Sequence, residues 1–132
     1  MPTKKLLERS APAIAILLTI LVAVASLVSF KSTGQLLDFH FKNQDKLGHF
    51  IAYFMLATSW FFSAPRFRLR TFTVIWAIIL YGIILEGLQE ILTTNRTADI
   101  MDVLANSAGV FLAALLFTRL GKLQPIKKNL SN

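Results

Sequence analysis

Long uncharged apolar runs alternate with short clusters of charged residues along this chain. The first run, residues 11–30, is twenty residues long, and at a rise of about 1.5 Å per residue it would cross the hydrocarbon core of a bilayer. Three further runs cover residues 47–64, 71–92 and 103–118, and each carries polar residues near one end. The pattern predicts an all-α fold, a polytopic bundle of four transmembrane helices.

The composition agrees with a surface that meets lipid. Hydrophobic residues make up 55% of the chain and charged residues 16%, whereas soluble domains average about 25% charged residues. A soluble four-helix bundle is the alternative, but it needs charged outward faces that these runs lack. The 132 residues have the length of one domain, so we assign 1–132 to a single membrane domain.

The positions of lysine and arginine predict the topology. Ten of the fourteen basic residues lie in the two tails and in the connection between the second and third spans, and four lie in the other connections. The positive-inside rule therefore predicts that both termini are cytoplasmic. The net charge of +7 is explained by this topology, and we expect no nucleic-acid partner.

The first span has a competing interpretation as a cleaved signal peptide, because residues 23–25 form a small-x-small site before Ser26. The apolar run continues past that site to residue 30, which is longer than a usual signal-peptide core and favours a retained span. In the following connection, residues 35–41 are apolar enough to lie on the membrane surface.

The polar residues at the span ends recur every three or four positions, so each set shares one helix face. The sets are Asp45, His49 and Tyr53 in the second span, Glu86, Gln89 and Glu90 in the third, and Asp99, Asp102 and Asn106 at the fourth. The last set continues through Gly109 and Ala113, small residues that allow close approach between helices.

The predicted topology brings these three sets to the same membrane surface, because the second span begins, the third ends and the fourth begins there. Ionisable groups within a membrane are costly and face the bundle interior, where they pair. We therefore predict a polar pocket in the outer third of the bilayer, closed beneath by apolar packing. The candidate pairs are Arg96 with Glu86 or Asp99, and His49 with Glu86 or Asp102.

Each of these residues also has a structural interpretation. Asp99 or Asp102 would serve as the N-cap of the fourth helix, where aspartate is a favoured residue. Asn106 would join two helices by a hydrogen bond. Lys46, Glu90 and Asp99 lie near helix ends and would be solvated.

Three blocks of the sequence resemble the signature of VanZ-like membrane proteins. Residues 45–53, DKLGHFIAY, resemble the D-K-x-x-H-F-x-x-Y block, residues 86–89 resemble E-x-x-Q, and residues 96–106 resemble R-x-x-D-x-x-D-x-x-x-N. Order and spacing agree over most of the chain. The resemblance marks as candidate site residues Asp45, His49, Tyr53, Glu86, Gln89, Arg96, Asp99, Asp102 and Asn106.

This resemblance implies a multi-pass protein of the bacterial cytoplasmic membrane. The family takes its name from a factor that lowers sensitivity to the glycopeptide antibiotic teicoplanin, but many relatives occur outside resistance gene clusters. The partner that we expect is a membrane lipid, or a lipid-linked or amphiphilic envelope ligand, bound or modified in the polar pocket.

Several functions besides ligand binding are compatible with the sequence. An acid–base enzyme would use His49 with Asp45, Glu86 or Asp102, although no Ser-His-Asp order, H-E-x-x-H motif or glycine-rich phosphate loop is present. A transport protein, or a scaffold whose polar cluster is purely structural, would also fit the pattern. We expect no cofactor and no metal, since firm metal-binding spacings are missing. The residues that would ligate a metal are His49, Glu86, Asp99 and Asp102.

Overall fold

A computed structural model of the protein describes residues 2–28, 44–92 and 97–123. The described residues contain no strand and form α1 (Pro2–Leu27), α2 (Gln44–Ser63), a 3₁₀ turn (Ala64–Phe67), α3 (Thr71–Leu92) and α4 (Ile100–Leu123). The predicted surface segment 35–41 and Arg96 lie outside the described residues.

All four α-helices are long and apolar enough to cross a membrane by length and composition. The candidate spans are Lys5–Leu27, Asp45–Phe67, Thr71–Leu92 and Ile100–Gly121. The prediction of an all-helical chain with four such helices is therefore confirmed. The bounds of α3 agree with the apolar run, whereas α1 begins at Pro2, well before it, because the intervening charged residues are good helix formers.

Large apolar side chains cover the outside of the bundle. Leu17 and Ile20 of α1, Leu80 of α3 and Leu115 of α4 are each more than half exposed. Such a surface would aggregate in water, because contiguous exposed apolar patches are rare on soluble proteins. It suits a protein whose outer surface meets lipid chains.

The helices run alternately up and down. Thr19 of α1 meets Tyr81 of α3, and Ser26, about two turns further on, meets Gln89, so these two helices are parallel. Lys46 of α2 meets Asp99 at the start of α4, and His49, further along α2, meets Asn106, further along α4, so these two helices are also parallel. One end of the bundle therefore holds the last turns of α1 and α3 and the first turns of α2 and α4, and we call it the polar end.

The closest helix approach is between α2 and α4, the most extensively packed pair. It is centred on Gly109, where a Cβ atom would overlap the carbonyl oxygen of Phe50 and lie 3.0 Å from the Phe54 nitrogen. Ala113, one turn further along α4, is buried. The predicted role of Gly109 and Ala113 as small residues in a close helix contact is confirmed.

An apolar core lies beyond this contact, away from the polar end. Its buried members include Leu56, Ala57 and Phe61 of α2, Ile78 of α3 and Val110 of α4. This packing lies beneath the polar residues.

Side-chain hydrogen bonds attach α1, which buries the smallest share of its span. Trp60 Nε1 donates to Thr19 Oγ1 at 3.0 Å, and the Tyr81 hydroxyl donates to the Thr19 carbonyl. Gln89 Nε2 donates to the Ser26 carbonyl at 2.6 Å. Thr19 was not among the residues predicted from the sequence to join helices. The signal that would have found it is a hydroxyl in the middle of an uncharged span, where a polar side chain needs a partner.

The first prediction concerns this attachment. Thr19→Val removes the acceptor for the Trp60 indole while keeping the shape of the side chain, and we expect it to lower the free energy of unfolding by about 0.5–1.5 kcal/mol. The Trp60 fluorescence maximum should also shift, measured with Trp76 replaced by phenylalanine. Thr118→Val is the control, because that hydroxyl donates to Leu115 in its own exposed turn. Equal effects of the two substitutions would contradict the assignment.

Candidate functional site

Lys46 links the first turn of α2 to the start of α4. Its Nζ lies 3.1 Å from Asp99 Oδ2 and 3.6 Å from Asp102 Oδ1. Asp99 Oδ1 in turn accepts a hydrogen bond from the Met101 N–H at 2.8 Å, so Asp99, rather than Asp102, caps α4. The pKa of Asp99 lies below its usual value because the Met101 N–H and then the Lys46 ammonium stabilise the carboxylate.

His49 lies one turn further along α2, with both ring nitrogens facing α4. Its Nδ1 is 3.0 Å from Asn106 Oδ1, and its Nε2 is 3.7 Å from Asp102 Oδ2. Of the two partners predicted for His49, the structure therefore places Asp102 opposite one ring nitrogen and adds Asn106 opposite the other. The side chain is 15% exposed, so these contacts lie inside the bundle.

Glu86 of α3 completes a group that we call the three-donor cluster, consisting of His49, Glu86 and Asp102. One nitrogen or carboxylate oxygen from each of the three lies within 4.8 Å of the others. Glu86 and Asp102 are 5% and 8% exposed, which makes them unusual, because acidic residues are almost never this buried unless they are paired. Asp99 lies outside the cluster, beside Lys46.

Tyr53 and Asn106 meet α3 at Gly82, another residue that the sequence analysis missed. A Cβ atom at Gly82 would lie 3.0 Å from Tyr53 Cε1 and 3.3 Å from Asn106 Nδ2. Both side chains are about 2% exposed, and Asn106 Nδ2 has no hydrogen-bond partner among the described residues. The missing side chain at Gly82 thus makes room for two polar groups, and a glycine in the middle of an apolar run was the available signal.

A cavity of about 410 Å³ opens beside the cluster, between α1, α2 and α3. We call it the polar-end pocket. Its lining residues are Leu21, Val22, Ala25, Ser26, Asp45, Gly48, His49, Ala52, Tyr53 and Gln89. The volume falls in the range of small-molecule sites, about 300–1,000 Å³. The wall is apolar along α1 apart from Ser26 and becomes hydrogen-bonding toward α2 and α3.

The structure describes eight of the nine candidate site residues, with Arg96 outside the described part. Six of them lie inside the bundle at the polar end, namely His49, Tyr53, Glu86, Gln89, Asp102 and Asn106. Asp45 is exposed at the rim of the polar-end pocket, and the Asp99 side chain is 43% exposed. Glu90 is exposed, in agreement with its solvated interpretation.

These residues come from the three blocks on which the sequence resemblance rests. The model of the VanZ/LLP1 family matches residues 4–121. The chain belongs to the VanZ/LLP1 family. The match covers nearly all of the four helices and includes every block, so the resemblance is confirmed. No curated protein and no solved structure matches the chain.

Family and fold together define the protein at a coarse level. This VanZ/LLP1 chain is an all-helical, multi-pass membrane protein with four candidate spans. Its polar residues gather at one end of the bundle, where the cavity and the three-donor cluster share His49.

Proposed function

We propose that this VanZ/LLP1 protein binds a lipid-linked or amphiphilic envelope ligand, with the polar headgroup in the polar-end pocket. The observation that supports this most directly is the composition of the pocket wall. Leu21 and Val22 provide an apolar side, while Ser26, Tyr53 and Gln89 bring hydroxyl and amide groups to the same cavity. A wall of this kind suits a molecule that is apolar along one side and polar at one end.

The site would lie at the outer surface of the bacterial cytoplasmic membrane. The excess of lysine and arginine in the two tails and in the connection between α2 and α3 supports cytoplasmic termini. Because the polar end is the opposite end of the bundle, it would then face the cell exterior, where envelope lipids and their precursors present their headgroups.

The charge of the wall favours certain headgroups. Asp45 contributes a carboxylate at the rim, and the described lining residues include no lysine or arginine. Hydroxyl or amine groups, which donate hydrogen bonds, would therefore suit this wall. Arg96, outside the described residues, was the candidate partner for a phosphate or carboxylate, and that pairing stays a prediction, as does a link to glycopeptide resistance.

The other functions have less support from the geometry. An acid–base enzyme needs a ring nitrogen of His49 that reaches the substrate, and here both ring nitrogens face side chains of α4. A transport path needs polar groups through the bundle, and beyond the polar end Ser63 is the only buried polar side chain among the described residues. Ligand binding requires neither a free imidazole nor a continuous path.

A substitution that fills the pocket tests the proposal. Gly48 lines the pocket, and a Cβ atom there would contact nothing within 4 Å, so Gly48→Phe should occupy the cavity without strain in the backbone. We expect mass spectrometry of gently purified wild-type protein to detect a specific retained lipid, and Gly48→Phe to reduce its amount at least about tenfold. The headgroup of the retained lipid would also identify the ligand class.

Gly87→Phe is the matched control. Gly87 also has open space at its Cβ position and lies near the polar end, but it is not among the lining residues of the pocket. It should retain lipid at the wild-type level. Equal retention by wild type and both variants, or the absence of any specific lipid from wild type, would overturn the proposal.

A further inference from the structure

We infer that the three-donor cluster of His49, Glu86 and Asp102 binds a divalent transition-metal cation of the zinc class. This inference does not rest on lipid binding, and it concerns residues that come from three different helices. Because the three residues lie on different helices, no regular spacing in the sequence identifies the site.

The distances within the cluster suit metal ligands. His49 Nε2 and Asp102 Oδ2 are 3.7 Å apart, which is too long for a hydrogen bond. Two ligands that each lie about 2.1 Å from a tetrahedral zinc ion are separated by about 3.4 Å. One atom of Glu86 lies within 4.8 Å of both. The pair is therefore spaced more like two ligands of one ion than like a donor and its acceptor.

The orientation of His49 is an independent observation that points to a cation. The side-chain oxygen of Asn106 lies 3.0 Å from Nδ1, and in the tautomer that carries its proton on Nδ1 this nitrogen donates to that oxygen. In the neutral ring, Nε2 then presents a lone pair to Asp102 Oδ2. A cation bound between these two acceptors would interact favourably with both. A ring N–H held by a carbonyl oxygen is also the usual arrangement behind metal-binding histidines.

The Asp102 carboxylate supplies a further observation. Asp102 is 8% exposed, and its Oδ1 has no hydrogen-bond partner among the described residues. The Lys46 ammonium forms an ion pair with Oδ1 at 3.6 Å and donates its shorter hydrogen bond, at 3.1 Å, to Asp99. Buried carboxylates are usually paired or bound to a metal, and a cation at Oδ2 would give the second oxygen a partner as well.

The donor set indicates the class of ion. One imidazole nitrogen with two carboxylate oxygens suits Zn²⁺ or a similar transition metal better than Mg²⁺ or Ca²⁺, which prefer oxygen ligands alone. Three protein ligands are also the number found in zinc sites that keep one position open.

The test is metal binding by the purified full chain in detergent. After treatment with chelator, wild type should take up one Zn²⁺ per chain and unfold at a higher temperature, with a much smaller response to Mg²⁺. His49→Gln, Glu86→Gln and Asp102→Asn should each weaken zinc binding by at least about 100-fold. Asn106→Ala removes the oxygen that faces His49 Nδ1 but no metal ligand, and it should weaken zinc binding by about 10–100-fold.

Asp99→Asn is the matched control, since it removes a carboxylate from the same end of the bundle while asparagine keeps the N-cap. It should bind zinc as wild type does. If Asp99→Asn loses zinc as fully as Asp102→Asn, the binding is to a diffuse acidic surface and the inference is wrong. The titration of wild type decides the matter even if a variant fails to fold, because no uptake overturns the site.

Nitrogen NMR of His49 provides a second readout. A proton on Nε2 in zinc-treated protein would contradict ligation through that atom. Gly48→Phe should bind zinc normally, and lipid retention can be measured on protein treated with chelator. Failure of the lipid proposal and failure of the zinc site would therefore give different results.

Discussion

Gly109→Ala is expected to lower the free energy of unfolding by about 3 kcal/mol or more, although it adds a single methyl group. The added Cβ atom would overlap the carbonyl oxygen of Phe50 and approach the Phe54 nitrogen. Both are backbone atoms of α2, so no side-chain rotation can relieve the contact. The helices must instead move apart along the most extensively packed pair in the bundle.

A graded series of glycine substitutions checks this result by reversible unfolding in mixed micelles. Gly121→Ala, in the same helix, has open space at its Cβ position and should change stability by less than about 0.5 kcal/mol. Gly82→Ala should change the free energy of unfolding by an intermediate amount. Its added Cβ atom would meet side-chain atoms of Tyr53 and Asn106, whereas the Cβ atom at position 109 would meet backbone. If Gly109→Ala and Gly121→Ala have the same effect, the close approach of α2 and α4 is not what Gly109 provides.

Asp102→Ala is expected to have the second large effect, a loss of about 3–5 kcal/mol. Asp102 lies 3.6 Å from Lys46 and 3.7 Å from His49, and its side chain is 12% exposed, against 33% for Lys46 and 15% for His49. Its removal leaves His49 without this buried carboxylate and leaves Lys46 with Asp99 as its acidic partner. The measurement is made with chelator present, so that a bound metal does not contribute to the difference.

The comparison for Asp102→Ala is Asp99→Asn under the same conditions. Asp99 also pairs with Lys46, at 3.1 Å, but its side chain is 43% exposed, and water screens exposed ion pairs so that they contribute little to stability. The substitution also keeps the N-cap of α4. A loss as large for Asp99→Asn as for Asp102→Ala would mean that burial does not distinguish the two carboxylates.

Stability and the proposed sites depend on the same helix pair. The contact at Gly109 sets the distance between α2 and α4, and His49 reaches Asn106 and Asp102 across that interface. A change in helix spacing should therefore weaken zinc binding as well as lower stability. Gly121→Ala should leave both unchanged, which separates this coupling from a general loss of helix order.

The sequence by itself determined the helices and the end of the bundle at which the polar residues gather. Apolar runs long enough for a bilayer predict membrane-spanning helices from local composition alone. Helical spacing then assigns Asp45, His49 and Tyr53 to one helix face. Because neighbouring spans cross the membrane in opposite directions, the start of the second span, the end of the third and the start of the fourth lie at the same surface. The family blocks marked the same residues because they contain the polar interruptions of the apolar runs.

Only the tertiary structure decided which polar atoms meet. Spacing left Asp99 and Asp102 equivalent as caps, and the structure places one beside the exposed Lys46 ammonium and the other inside the three-donor cluster. It also assigned Thr19 of α1 to partners on two other helices. The physical reason is that the rotation of each helix about its axis and its crossing angle depend on the simultaneous packing of many side chains. A shift of a few ångströms exchanges one partner for another without changing the hydrophobic pattern of the chain.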